Sequence, residues 1–258
     1  MFSGISSWTR DNPIYARWLG PSGMTELLYF PSADACYLRE FDARVVERGP
    51  DFVVLDRTAF YAEGGGQPYD TGTLRWDGGE SKVTRVIKER GVIKHFVTAM
   101  PATDPVHGVL DWDRRFAHMR YHTSQHLMSG VVWKVFGAHT AGNQLYADKA
   151  RVDFQPASLT EADLKRIEGE CNAIAAKGVP VRIFEEDRLL LENRIADRAL
   201  LDLIPQSIRR LRVIALGEYD TVPCGGTHLR NTAEIGRIRI TERRSKGKET
   251  DRVTYVLD

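Results

Sequence analysis

No stretch of the sequence approaches the ~20 consecutive apolar residues that a membrane-spanning helix requires. The first residues, MFSGISSWTRDNPIYARW, lack a charged leader followed by an apolar segment, so no secretory signal is expected there. Cysteine is scarce. Cys36, Cys171 and Cys224 lie far apart, which argues against a disulfide framework and for a reducing, cytoplasmic setting. An excess of one charge is also lacking. Lys+Arg 36 against Asp+Glu 35 leaves a formal net charge of +1, so a nucleic-acid partner would have to be held by a local patch. Internal repeats, low-complexity segments and coiled-coil heptads are missing, and a monomer or weak dimer is expected. What is present is 258 residues, 42% of them hydrophobic, enough for one or two domains with a large core.

The pattern changes along the chain. Residues 1–23 carry Pro13, Gly20, Pro21 and Gly23 between aromatics and read as an irregular arm. Residues 24–110 hold short strand-like runs at Phe52–Leu55, Thr73–Trp76, Val83–Ile87 and Val92–Val97. Asp77-Gly78-Gly79 and Glu89-Arg90-Gly91 supply turns between them, so a small barrel or sandwich is expected. Residues 111–258 read as α+β. Helical spacing runs from Arg114 to Phe136 and stops at Gly137. A second helix is expected from Ser158, with Ser158 and Glu161 at capping-box spacing, to Gly178. Strands are expected at Val179–Phe184, Leu211–Leu216, Ile235–Ile240 and Val253–Leu257.

Three motifs carry chemistry. In His122-Thr123-Ser124-Gln125-His126 the two histidines are four apart, so on a helix both imidazoles share a face and can reach one ion. Thr123 stands where a zincin protease needs its Glu base, so that reading fails. Cys224-Gly225-Gly226-Thr227-His228 sets a thiolate and an imidazole on a tight loop. Together the motifs supply three His and one Cys, a set suited to Zn²⁺ if the fold joins helix and loop. Alone, the histidine pair is more often a polar helix stripe, and the loop reads as well as a buried thiol with a surface His. The third motif is Glu63-Gly64-Gly65-Gly66-Gln67-Pro68-Tyr69-Asp70-Thr71-Gly72. It lacks the Gly-Lys-Ser/Thr of a phosphate-binding P-loop, and either a tight turn or close approach to a ligand would explain three glycines.

In this order EGGGQPYDTG, HTSQH, RVDF (151–154) and CGGTH are similar to the freestanding alanyl-tRNA editing proteins, the AlaX family, relatives of the editing domain of alanyl-tRNA synthetase. The resemblance spans roughly residues 24–258. It implies a fold of class α+β: a small N-terminal β-barrel (24–110) followed by a metal-binding editing domain (111–258). It implies a zinc-dependent hydrolase that removes serine, and as a second candidate glycine, from mischarged tRNA(Ala). By the same resemblance His122, His126, Cys224 and His228 match the metal ligands. Thr123 matches a residue that helps tell serine from alanine, and Gly64, Gly65, Gly66 and Gln67 match a motif bordering the pocket.

Arg114, Arg115, Arg120, Arg243 and Arg244 are candidate phosphate contacts for the tRNA, with Arg209, Arg210 and Arg212 as further ones. Solvated surface charge is the competing reading for each. No side chain stands out as a general base. Asp220 reads as a loop acid, with a hydrogen bond to a ligating His as the alternative. Gln125 departs from the Thr that often precedes the second His in synthetases. Editing of another aminoacyl-tRNA, of the threonyl type, and a non-catalytic zinc module that binds tRNA are the rival functions.

Overall fold

Arg90 and Gly91 both have positive φ, 50° and 88°, the backbone of a two-residue hairpin turn. This turn joins two long strands in the first half of the chain. The structure is a computed structural model that describes residues 25–195, 204, 206–247 and 249–258. The expected arm at 1–23 lies outside the described residues. In chain order the first half holds β1 (Glu26–Leu27), β2 (Glu40–Ala43), β3 (Val45–Arg48), β4 (Phe52–Leu55), β5 (Arg57–Thr58), β6 (Gly72–Trp76), β7 (Gly79–Glu89), β8 (Val92–Val97) and β9 (Val106–Leu110).

Seven of these strands form one sheet in the order β2-β9-β6-β7-β8-β4-β3. Its two edge strands, β2 and β3, are separated in the chain by Arg44 alone. A sheet whose edges meet at one residue must curl, and register shifts in β3 and β7 add the local bend. Burial alternates with period two along β9, and along β7 up to the register shift after Val83. The inward set, with Val53, Leu55, Phe60, Leu74, Val86 and Val106, fills the interior.

Asp111 caps the next element by accepting from Arg114 N. Helix α1 runs Trp112–Phe136 and ends at Gly137, whose φ of 67° is the left-handed stop that the sequence indicates. It is followed by β10 (His139–Leu145), β11 (Ala150–Gln155), α2 (Glu161–Ala176), β12 (Val181–Asp187), α3 (Arg188–Ile195), β13 (Arg210–Leu216), β14 (Asp220–Pro223), β15 (Ile238–Ser245) and β16 (Asp251–Leu257). The antiparallel sheet β10-β11-β16-β15 packs with α1 and α2 around Met128, Phe154, Ile167 and Tyr255. A smaller sheet, β12-β13-β14, carries α3. No helix among the described residues is long and apolar enough to cross a membrane.

Two local expectations are corrected. Helix α2 starts at Glu161 with Thr160 as its cap, and the capping box pairs Thr160 with Asp163 rather than Ser158 with Glu161. Leu159 N donates to Asp251 Oδ2 at 2.6 Å, which holds the chain extended past Ser158. The strand expected from Ile235 begins at Ile238, because Thr232–Ile235 forms a 3-10 turn.

Candidate metal centre

Residues 121–128 of α1 are all buried, including five consecutive polar ones. Buried polar groups are costly unless bonded, and each of the five has a partner. Ser124 is structural: its hydroxyl bonds Tyr121 O and Tyr255 Oη, both at 2.9 Å. His122 and His126 share a face, with ring centroids 5.2 Å apart. The loop after β14 brings Cys224 and His228 onto that face. Cys224 Sγ lies 3.5 Å from His122 Nε2 and 3.3 Å from His228 Nε2. One donor atom from each of the four residues falls within 4.8 Å of the others. Tetrahedral zinc with ordinary bond lengths places its N and S ligands about 3.3–3.6 Å apart, so the donor set fits such an ion.

The outer nitrogen of each imidazole is engaged. His122 Nδ1 meets Gln67 Oε1 at 2.8 Å, and His126 Nδ1 meets Asp220 Oδ2 at 2.7 Å. His228 Nδ1 lies 3.4 Å from Thr123 Oγ1, which also accepts from Leu229 N at 3.0 Å. Such partners fix the tautomer and leave Nε2 for an ion. The electrostatics of the thiol agree. Burial pushes the Cys224 thiol up, but the three imidazoles outweigh it and hold the group well below its usual range. Burial lowers His126, yet Cys224 and Asp220 together raise it to about 10, so an ion bound there would displace a proton from this imidazole.

Glycine is required where the loop passes α1. A Cβ on Gly226 would fall 2.1 Å from His122 Cε1. Arg212, itself buried, clamps the loop by donating to Cys224 O, and ties it to Phe30 O at 2.7 Å. Cys36 lies beneath, its sulfur 3.5 Å from His228 N.

The cluster opens into a cavity of about 490 Å³. His122, His126 and Cys224 line it, while His228 is fully buried and does not. The glycine loop of the curled sheet lines the same cavity, through Glu63, Gly64 and Gly65. Gly66 has another purpose. Its φ is 84°, and a Cβ there would collide with Asn143 Oδ1, so it docks the loop on β10. Leu145 N completes that docking by donating to Gly66 O at 2.8 Å.

Several expected residues take different places. Gln67 is fully buried and touches His122 and Thr227 rather than the cavity. Thr123 is fully buried behind the cluster and is not among the cavity-lining residues. Asp220 is a buried partner of His126, so the loop-acid reading is overturned. The largest correction concerns Arg115. It is fully buried, ion-paired with Asp70 and bonded to Cys36 O and Ala59 O, so it offers nothing to a phosphate. Arg212 is likewise withdrawn from the surface. Arg114 donates to Tyr69 O, and Arg120 to Ile235 O and Asp258 O. Arg243 and Arg244 are exposed and paired with Asp251 and Glu242. Arg151-Val152-Asp153-Phe154 is a structural motif: Asp153 holds Arg252 through two bonds of 2.7 Å. Sequence reasoning missed Ser129 and Thr140, which line the cavity beside His126.

Comparison with known proteins adds a separate line. A family model described as threonyl and alanyl tRNA synthetase second additional domain matches residues 211–254, and one described as tRNA synthetases class II (A) matches residues 33–114. The chain is 40% identical over 247 residues to the alanyl-tRNA editing protein AlaX-M of Methanosarcina acetivorans, covering 91% of this chain and 99% of that protein. It is 34% identical over 241 residues to the alanyl-tRNA editing protein AlaX-L of Pyrococcus horikoshii, covering 90% of this chain and 58% of that one. It is also 42% identical over 234 residues to an alanine–tRNA ligase of Thermococcus kodakarensis, covering 87% of this chain but 25% of the ligase.

Proposed function

The chain belongs to the alanyl-tRNA editing proteins, and from that premise we propose that it is a trans-editing hydrolase that clears mischarged tRNA(Ala). The bond broken is the ester between a wrong amino acid and the 3′-terminal ribose. Serine is the main substrate and glycine a second. A synthetase pocket built for alanine rejects neither strongly, since one is smaller and the other adds only a hydroxyl.

The observation that carries this reading is the shared cavity. Three of the four clustered donors and the glycine loop face one space of about 490 Å³, within the range that holds a small-molecule ligand. His122, His126, Cys224 and His228 would hold the metal, and Zn²⁺ suits the set. A zinc ion there would supply Lewis-acid chemistry, polarising an ester carbonyl or making a water more acidic. Gln67 and Asp220 engage the outer nitrogens of the two imidazoles that face the cavity and so turn their inner nitrogens toward the metal. Gly64 and Gly65 let the backbone of the curled sheet approach the substrate closely, with Gly66 holding the loop to β10. Arg114, Arg120, Arg209, Arg210, Arg243 and Arg244 remain the candidates for tRNA contact, with Arg115 and Arg212 excluded by their burial.

The test is deacylation of Ser-tRNA(Ala), Gly-tRNA(Ala) and Ala-tRNA(Ala) by the wild type and Cys224→Ala. Loss of serine with alanine spared, and a folded but inert variant, is expected. A metal-loaded wild type that hydrolyses none of the three would sink the alanine-editing reading. Activity on threonine tRNA esters would then favour the threonyl branch, and tight tRNA binding without hydrolysis the non-catalytic module.

A further inference from the structure

Size cannot explain how an editing site spares alanine. Alanine is smaller than serine, so any cavity that admits a seryl group also admits an alanyl one. Discrimination has to come from groups that bond the serine hydroxyl and are left unpaired by a methyl. Thr123 is not placed for this, since its hydroxyl sits behind the cluster between Leu229 N and His228.

A different polar strip is placed for it. Gln125 Nε2 donates to Ser129 Oγ at 2.8 Å, and the hydroxyls of Ser129 and Thr140 are hydrogen-bonded to each other at 2.6 Å. All three side chains line the cavity. Gln125 adjoins His126 in the chain, and Ser129 lies one helical turn beyond it, about 4.5 Å along the axis. A seryl hydroxyl lies roughly 3–4 Å from its own carbonyl carbon by ordinary bond lengths. An ester carbonyl at the cluster therefore brings the hydroxyl level with this strip. The strip also has capacity to spare. Among the described residues Thr140 Oγ1 makes no further hydrogen bond, and Gln125 Oε1 accepts none. One open donor and one open acceptor match what a hydroxyl needs.

We propose that Gln125, Ser129 and Thr140 form the serine-reading subsite of this protein. The inference rests on the editing reading. Gln125 and Thr140 contact the hydroxyl, and Ser129 positions both. Water satisfies the open groups when the cavity is empty, and a seryl hydroxyl replaces it. An alanyl methyl displaces that water and returns nothing, so the alanyl ester is held poorly and survives.

The experiment compares kcat/KM on Ser-, Gly- and Ala-tRNA(Ala) for the wild type, Thr140→Val, Ser129→Ala and Thr140→Ser, with metal content assayed on each. Thr140→Val keeps shape and suits a strand, so folding is not at stake. The serine-to-alanine ratio should fall about tenfold to a hundredfold in Thr140→Val and Ser129→Ala, the range expected for one lost bond in a closed site. Thr140→Ser should restore it, and glycine hydrolysis and metal content should hold. An unchanged ratio overturns the proposal. So does an equal fall on serine and glycine, which would mark the strip as structural. A metal-loaded wild type inert on every ester overturns the editing reading itself, and this inference with it.

Discussion

Replacing Arg115 with methionine should cost about 3–5 kcal/mol of folding free energy without altering the salt dependence of tRNA hydrolysis. Two neighbouring arginines open α1, and the fold treats them oppositely. The Arg115 guanidinium is fully buried, with Nε 2.9 Å from Asp70 Oδ2 and Nη1 2.9 Å from Cys36 O. Asp70 is fully buried as well, and its Oδ2 also accepts from Tyr61 N at 2.7 Å. The pair thus ties α1 to the glycine loop and to the segment under the cluster. Methionine fills much of the volume but strands a buried carboxylate. That loss is large against the ~5–15 kcal/mol that holds most domains together, and corresponds to roughly 6–20 °C in melting temperature. Urea unfolding of wild type, Arg115→Met, and Arg115→Met with Asp70→Asn measures it. The double variant should recover part of the loss, because a neutral amide still accepts from Tyr61 N without a stranded charge. KM for the tRNA substrate, taken at two salt concentrations, is the second readout. A variant within about 1 kcal/mol of wild type, or one whose salt slope drops by about one phosphate contact, would refute the reasoning.

Asp220→Asn should weaken metal retention about 10–100-fold, because it removes the carboxylate that orients His126; competition against a chelator of known affinity measures this. Gly226→Ala should release metal more drastically, since the new Cβ would lie 2.1 Å from His122 Cε1, and metal content per chain after dialysis reports it. Acid should destabilise the fold through His95, a core residue bonded to Thr58 and Val53. Burial lowers its pKa from 6.5 to about 4, so the unfolded chain takes up a proton that the folded one refuses. Its contribution, roughly 3 kcal/mol, is intact above pH 6.5 and is lost as pH falls toward 4. Unfolding midpoints measured between pH 7 and 4.5 should fall less steeply in His95→Gln.

Local signals carried most of what the sequence disclosed. The i,i+4 spacing of His122 and His126 and the short Cys224–His228 loop are backbone geometry, so the four donors could be named before any tertiary structure. Their outer partners could not be assigned in the same way. Gln67 and Asp220 stand 55 and 94 residues from the imidazoles they hold, and only chain closure puts them there. Thr123 and Arg115 are both fully buried, away from the cavity and the surface, for one reason. Neighbouring helix positions are turned about 100° from each other, so a motif tells which residues are adjacent but not which of them faces the cavity. Of the strip Gln125–Ser129–Thr140 only Gln125 stood out in the sequence, as a departure beside the second His, because the third member comes from a strand whose pairing the sequence leaves open. The triple glycine was ambiguous between packing and ligand approach; Gly66 takes the first part, since a Cβ there would collide with Asn143, while Gly64 and Gly65 line the cavity.

The most direct test of the account joins metal and chemistry in one preparation. Zinc content and Ser-tRNA(Ala) deacylation are measured on the same sample before chelation, after it, and after zinc is returned. Activity that falls and recovers in proportion to about one zinc per chain, with Ala-tRNA(Ala) spared throughout, is the expected result. Full seryl-ester hydrolysis by a metal-free, folded chain would contradict the role assigned to His122, His126, Cys224 and His228.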